Sequence, residues 1–383
     1  MGPMELIRTE DQELIAKTTA DFVSEKSPIA RVRQLRDAND PVGYSRALWK
    51  EMAELGWVGL VFPDSFGGAG LGFAELAVVL EELGRTLAPE PFLSTVLLGG
   101  QALLLAGDEA AAKAWLPRVC KGDAILALAQ QEARSRFDID AVETRAERSG
   151  KGFRIRGEKI QVLDGHVADA FVVVARTAGG PRDAEGITLF LVPKGARGLE
   201  VTRQTRVDGR NAALVRLDGV EVGADAVVGA PDAGHALLAR VIDRATVGLA
   251  AEMLGGMEQA FALTVAHLKH RQQFGVPIGS FQALKHRAAN VYIELELVKS
   301  AVMAAARAVD ADDPELPKLV SLAKARASDA YVLATNEGVQ MFGGVGMTDE
   351  YDIGFYMKRA RAAELTFGDA AFHRARWASL SGY

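Results

Sequence analysis

Apolar positions repeat with two different periods along this chain, and the period changes twice. From Met4 to about Leu126 the spacing is helical. Leu14, Ile15, Thr18, Phe22 and Val23 recur at three- and four-residue intervals, and Tyr44–Leu55 and Phe73–Leu83 do the same. Gly56 and Gly84 follow helical runs where a left-handed cap would sit, and Pro89, Pro91 and Gly99-Gly100 punctuate the connections. From about Ala127 to Val228 the texture is strand-like. Phe153-Arg154-Ile155-Arg156 alternates, Phe171–Ala175 and Ile187–Val192 are short apolar runs, and Gly179-Gly180-Pro181 and Asp218-Gly219 read as turns. Several short strands at this spacing predict a small barrel or sandwich. From about Gly234 to Leu380 helical spacing returns and predicts long helices over 236–270, 281–310 and 315–342, with Asp312-Asp313-Pro314 breaking the second from the third.

Composition narrows the class. With 383 residues, 49% of them hydrophobic and 25% charged, the chain can bury two or three cores and is not a disordered polymer. A formal net charge of -6 gives no electrostatic grip on nucleic acid or acidic lipid. The lone cysteine, Cys120, cannot form a disulfide framework or a zinc site. It follows the apolar stretch Trp115–Val119 and is expected to be a buried thiol in a reducing, cytoplasmic protein. Met1–Glu5 has no basic region leading into an apolar core, so no signal peptide is expected. The longest apolar stretch, Val96–Ala106, is too short to span a bilayer and contains Gln101, so no membrane anchor is expected either.

Three patterns imitate chemistry. Val58–Phe62 followed by Gly67–Gly72 resembles a dinucleotide fingerprint, but its glycine spacing is wrong and Pro63-Asp64-Ser65 intervenes. His267 and His270 stand one helical turn apart with His286 nearby, yet no acidic or cysteine partner sits at a ligand offset. Solvated helix histidines, and no metal, are expected. The six histidines lie in no nucleophile-elbow context.

Two segments near the C-terminus say more. The first is Arg271-Gln272-Gln273-Phe274-Gly275, followed by Ile278-Gly279-Ser280-Phe281-Gln282; the second is Gln340-Met341-Phe342-Gly343-Gly344-Val345-Gly346. Read alone, the first is a helix end with Arg271 in the last turn and Gly275 as cap, and the second is a glycine turn after a helix. Together with Trp49–Gly56, Gly67-Gly68, Glu82–Arg85, Gly157-Glu158-Lys159 and Asp164-Gly165, they resemble the acyl-CoA dehydrogenase family in three separate regions.

The resemblance implies an α+β multidomain chain. A helical domain would occupy 1–126, a middle β-barrel domain 127–232 and a C-terminal four-helix bundle 233–383. It also implies a tetrameric FAD enzyme acting on acyl-CoA thioesters, with an electron-transferring flavoprotein as electron acceptor. By the same resemblance Arg271 and Phe274 contact the flavin pyrophosphate in a neighbouring subunit, and Gln340, Gly343 and Gly344 its adenine end; Gln273 and Gln282 belong to the same set. These residue types suit that task. A guanidinium pairs its donors with phosphate oxygens, and glycine lets backbone approach a cofactor.

The chain departs from the family where the chemistry occurs. Abstracting the α-proton of an acyl-CoA needs a carboxylate in a dry site. Counted without gaps from Gln340, the usual base position is Phe367, in Thr366-Phe367-Gly368-Asp369; the position used by other members falls on Ala245. Neither can accept a proton. Asp243, at a position that binds acyl-CoA in relatives, together with Asp369 and Glu364, are the candidates for a displaced base. In the middle domain, Gln131-Glu132-Ala133 and Gln161-Val162-Leu163 replace the segments that touch the flavin ring. Leu163 cannot donate the hydrogen bond a threonine would give, and Gln161 offers no flat aromatic wall. Three readings follow. The chain is the non-basic subunit of a two-plus-two heterotetramer, a self-sufficient homotetrameric flavoenzyme with a displaced base, or a catalytically silent CoA-binding scaffold.

Overall fold

The computed structural model describes residues 6–107 and 109–383; the segment read above for a leader lies outside the described residues. The described α-helices are α1 (Glu10–Lys26), α2 (Ile29–Asp37), α3 (Arg46–Glu54), α4 (Phe73–Arg85), α5 (Gln101–Leu105), α6 (Glu109–Cys120), α7 (Gly234–His270), α8 (Gln282–Asp310), α9 (Leu316–Phe342), α10 (Ile353–Glu364) and α11 (Ala370–Leu380). The strands are β1 (Leu126–Ala129), β2 (Arg145–Ser149), β3 (Gly152–Leu163), β4 (Ala170–Arg176), β5 (Ile187–Pro193), β6 (Leu199–Thr205), β7 (Asn211–Gly223), β8 (Val227–Val228), β9 (Gln272–Gln273) and β10 (Val276–Pro277). Contacts divide the chain into two compact units. One takes the residues up to Ala38, Gly72–Ala88 and Thr246–Tyr383; the other takes Asn39–Leu71 and Pro89–Ala245.

In the helical unit α9 packs against α8, α10 and α11. The break between α8 and α9 falls at the predicted proline, where Asp313 Oδ1 accepts from Glu315 N at 2.8 Å. Helix α1 begins with a reciprocal cap in which Thr9 Oγ1 accepts from Gln12 N and Gln12 Oε1 accepts from Thr9 N. The buried stripe of α1 is Gln12, Ala16, Thr19 and Val23, one residue away from the apolar spacing, and Leu14 is left 64% exposed. Polar contacts set that rotation. Gln12 Nε2 donates to Glu75 at 2.8 Å, and Arg8, just before the cap, pairs with Glu81 at 2.7 Å.

Gly84 is not a cap. It lies inside α4, where a Cβ would stand 2.1 Å from the carbonyl oxygen of Glu252; on α7, a Cβ at Gly255 would stand 1.7 Å from that of Glu81. The two glycines let the backbones of α4 and α7 touch. Gly56, by contrast, has the left-handed φ of 81° that its position predicts.

The other unit is built on a sheet with strand order β6-β7-β3-β2-β4-β5-β8, and β1 pairs in parallel with β4. The expected barrel is corrected to an open sheet. Its edges are unequal, seven residues in β6 and two in β8, and β2 meets β4 through the single pair Arg145↔Arg176. Closure needs edges of matching length and stagger. Asp218-Gly219 is a bulge and not a turn: Ile155 pairs with Val220 and Arg156 with Asp218, leaving Gly219 (φ 69°) as the extra residue. Gly99-Gly100, read as a break, closes a buried π-helix over Phe92–Gly100.

Cys120 is buried, and burial pushes its thiol up to about 11, as a structural thiol requires. No helix among the described residues is long and apolar enough to cross a membrane.

Candidate functional site

Helix α7 ends at His270, earlier than the arginine motif suggests. Arg271 N still donates to His267 O at 2.8 Å, and the chain then forms the β9–β10 hairpin. Its two turn residues, Phe274 and Gly275, have φ of 56° and 80°, the left-handed pair that a tight two-residue hairpin demands. Gly275 is thus a turn residue and not a helix cap. A phenylalanine in this region is strained. Its ring nevertheless stands 90% exposed, touching Phe281 edge-on at a 6.1 Å centroid distance. Arg271 is exposed, and its guanidinium has no hydrogen bond or ion pair among the described residues. Gln273 is exposed and donates only to Gln272 O, at 2.8 Å, while Gln282 is the exposed first residue of α8.

The second motif closes α9. Gly343 turns left-handed at φ 69° and its N–H donates to Gln340 O; Gln340, Gly343 and Gly344 are all exposed. A Cβ at Gly343 or Gly344 would meet nothing within 4 Å, whereas one at Gly346 would stand 2.8 Å from Phe342. The first two glycines therefore leave room on the outside of the protein. The structure brings both motifs together. His267, in the last turn of α7, stacks on Phe342, in the last turn of α9, with centroids 4.1 Å apart and planes 16° from parallel, and Tyr351 abuts both rings edge-on. His267 is accordingly not a solvated helix histidine. An uncommitted guanidinium, an exposed aromatic ring and two open glycines at one end of the helical unit fit the diphosphate and base of a dinucleotide.

Neither position expected to hold the base carries a carboxylate, since Phe367 and Ala245 occupy them. Phe367 lies between α10 and α11 with φ 60°, followed by Gly368 at 116°. Two buried groups pin this loop. Lys324 Nζ, on α9, donates to Gly368 O at 2.7 Å, Glu364 O at 3.0 Å and Ser328 Oγ at 3.0 Å, so each ammonium hydrogen has an acceptor. Burial lowers that lysine to about 7 despite Glu364 and Asp369 nearby. His373, on α11, donates from Nε2 to Phe367 O at 3.1 Å; burial, then Lys324, lowers it to about 3 and keeps it neutral. Asp369 caps α11 by accepting from Phe372 N at 2.8 Å. Glu364 pairs with Arg361. In the other unit Ala245 is fully buried and Asp243 is 7% exposed.

Of the two sheet-unit segments expected at the flavin ring, the one over 131–133 enters a buried ion pair. Lys159, fully buried, holds Glu132 Oε1 at 2.6 Å, while Glu132 also accepts from Glu143 N at 2.7 Å and Thr144 N at 3.0 Å. Burial lowers Lys159 to about 8 even though Glu132 opposes it. Gln161 sits exposed at φ 52° in a β3 bulge, and Leu163 is buried. The Lys159–Glu132 pair was not anticipated. Its two ends belong to segments already singled out, but nothing local in the sequence joins them.

Comparison with known proteins agrees with this architecture. Models of the acyl-CoA dehydrogenase N-terminal, middle and C-terminal domains match residues 9–123, 127–220 and 232–379. The chain is 35% identical over 364 residues to acyl-CoA dehydrogenase IpdE2 of Mycobacterium tuberculosis, covering 92% of each. It is 30% identical over 365 residues to cyclohex-1-ene-1-carbonyl-CoA dehydrogenase of Geobacter metallireducens, covering 94% of this chain and 95% of that one. A chain of the ChsE4–ChsE5 complex from Mycobacterium tuberculosis superposes with a TM-score of 0.87 at 29% identity, over 99% of this chain and 100% of the other. The chain belongs to the acyl-CoA dehydrogenase family of FAD-dependent oxidoreductases.

Proposed function

We propose that this chain is the non-basic subunit of a two-plus-two heterotetrameric acyl-CoA dehydrogenase. It lends Arg271, Gln273, Phe274, Gln282, Gln340, Gly343 and Gly344 to FAD across a subunit boundary, and a paralogous partner supplies the glutamate and the flavin-ring contacts. The observation that carries the proposal is the occupant of the base position. Phe367 cannot take a proton, and the carboxylates on either side of it are engaged, Asp369 as a helix cap and Glu364 with Arg361. The groups facing outward are, in contrast, exposed: Arg271, Phe274, Gln340, Gly343 and Gly344. A relative of similar fold is named as a complex of two different chains, which is the assembly proposed here.

When bound, FAD accepts the hydride that leaves the acyl Cβ. This chain's part is binding and orientation. Arg271 neutralises diphosphate charge with paired donors, Gly343 and Gly344 admit the adenine end against bare backbone, and Phe274 covers the cofactor's apolar flank. Electrons leave to an electron-transferring flavoprotein.

A second reading draws on Asp243. Asp243 is a buried carboxylate two residues from Ala245, and a self-sufficient homotetramer would use it as the displaced base. Asp243→Asn that keeps FAD but no longer bleaches with acyl-CoA would identify it. The deciding experiment purifies the chain alone and with the product of a neighbouring dehydrogenase gene. One FAD per two chains, found only in the mixed assembly, is expected. Full FAD loading and turnover by the lone chain would overturn the heterotetramer.

A further inference from the structure

The two cofactor motifs lie 69 positions apart in sequence, from Arg271 to Gln340, yet must present one continuous rim. The contact recorded between their helix ends is aromatic. His267 and Phe342 stack face to face at 4.1 Å, with Tyr351 against the edge of both. One turn earlier the helices are close as well, since a Cβ at Gly338 would stand 2.9 Å from Thr264 Oγ1. The His267 carbonyl also accepts from Arg271 N, so the imidazole and the start of the hairpin share one turn of backbone.

We propose that His267 is the positioning residue of the cofactor rim: its stack on Phe342 locks the end of α7, which aims Arg271, to the end of α9, which carries Gln340–Gly344. This rests on the assignment of those residues to FAD. His267 itself touches no cofactor in this scheme; its Nε2 is buried and has no hydrogen-bond partner. What the stack contributes is a flat apolar contact, and the neutral ring is the form that makes it. The rings packed on the imidazole are the phenyl of Phe342 from α9 and the phenol of Tyr351 from the turn before α10, and the charge that acts on it is the guanidinium of Arg271, one residue past the end of its own helix. Burial, and then Arg271, lower the imidazole from its ordinary value. Above about 6.5 the ring is neutral in both the stacked and the detached state; below it the detached ring gains a proton that the stacked one resists. Stacking, and with it the rim, therefore weakens as pH falls.

The test measures the FAD dissociation constant by flavin fluorescence, on whichever assembly retains the cofactor, for wild type, His267→Ala, His267→Phe and Arg271→Ala. Losing one aromatic stack corresponds to roughly three- to tenfold weaker binding. His267→Ala should lose that much, His267→Phe should stay within about twofold of wild type, and Arg271→Ala should lose more than either. Wild-type affinity should fall between pH 7 and pH 5.5, a range of roughly the ordinary histidine titration, by more than that of His267→Phe. Unchanged affinity in His267→Ala beside a weakened Arg271→Ala would overturn the positioning role alone. So would a His267→Phe as weak as the alanine variant, or one with the wild-type pH profile. Unchanged affinity in Arg271→Ala would overturn the cofactor assignment beneath it, and the positioning role with it. If His267→Ala fails to assemble, the affinity and pH profile of His267→Phe decide.

Discussion

Phe367 occupies a backbone conformation that costs a large side chain energy, at φ 60°, and it does so because buried donors reach its loop from two other helices. Lys324 and His373 bond to carbonyl oxygens, so the loop's shape does not depend on which side chain position 367 carries. Phe367→Glu should therefore fold like the wild type. By the function proposed above it should not create an active site in the lone chain, because Gln161 and Leu163 would still leave the flavin ring without its usual contacts. The visible absorbance of the flavin on mixing with acyl-CoA checks this, and bleaching by the lone variant would contradict it. His373 makes a pH prediction. Its folded value, about 3, lies below its ordinary 6.5. As pH falls from 6.5 towards 3 the unfolded chain binds a proton that the native state does not, so stability declines through that window. Urea midpoints measured at pH 6.5 and pH 4.5, roughly the middle of that window, should fall further for wild type than for His373→Gln. Phe367 is placed at the expected base position from sequence alone, by an ungapped count from the Gln340 motif. The clamp was not legible in sequence, because Lys324 bonds a carbonyl 44 residues away, and a main-chain acceptor has no residue identity to read.

At the scale of elements, periodicity located the helices and strands, and it misjudged places where one element meets another. The three long C-terminal helices end at the expected points, His270, Asp310 and Phe342, with Pro314 marking the second end and Gly343 the third. The face of α1 was offset by one residue because the cap and the Gln12–Glu75 bond, not apolar burial, set its rotation. Gly84, Gly219 and Gly275 were each assigned a generic glycine role. Their actual roles are close helix packing, a bulge and a hairpin turn, and all three depend on a partner segment that local spacing cannot name. The α4–α7 contact gives the strictest test. A methyl at Gly255 would overlap the Glu81 carbonyl at 1.7 Å, and backbone cannot swing aside as a side chain can. Gly255→Ala should destabilise the fold by about 1–3 kcal/mol or more, read as a lower denaturant midpoint at unchanged slope. Gly344→Ala, whose Cβ meets nothing, should leave that midpoint within about 0.5 kcal/mol of wild type.

At the scale of the whole molecule, cofactor binding and assembly should fail in separable ways. Helix α8 exposes Tyr292, Ile293 and Leu297, and the hairpin exposes Phe274, a set of large apolar groups that water disfavours unless a subunit covers them. Ile293 is 55% exposed and lies well outside the Arg271 and Gln340 segments in sequence. Placing a charge there should cost nothing in the isolated chain and penalise burial against a neighbour. Ile293→Glu is therefore expected to fold, sediment as a smaller species and lose FAD, because the neighbour proposed to complete the cofactor site would be gone. Arg271→Ala should do the reverse, keeping the assembly and weakening FAD at the lost charge-assisted contact, roughly 1.5–3 kcal/mol. Sedimentation velocity with simultaneous flavin detection reads both quantities. If Ile293→Glu dissociates yet each released chain keeps its flavin, the cofactor is held within one subunit and not across two. If it remains assembled, α8 is not the covered face, and the boundary that brings a neighbour to the cofactor must be sought at the hairpin itself.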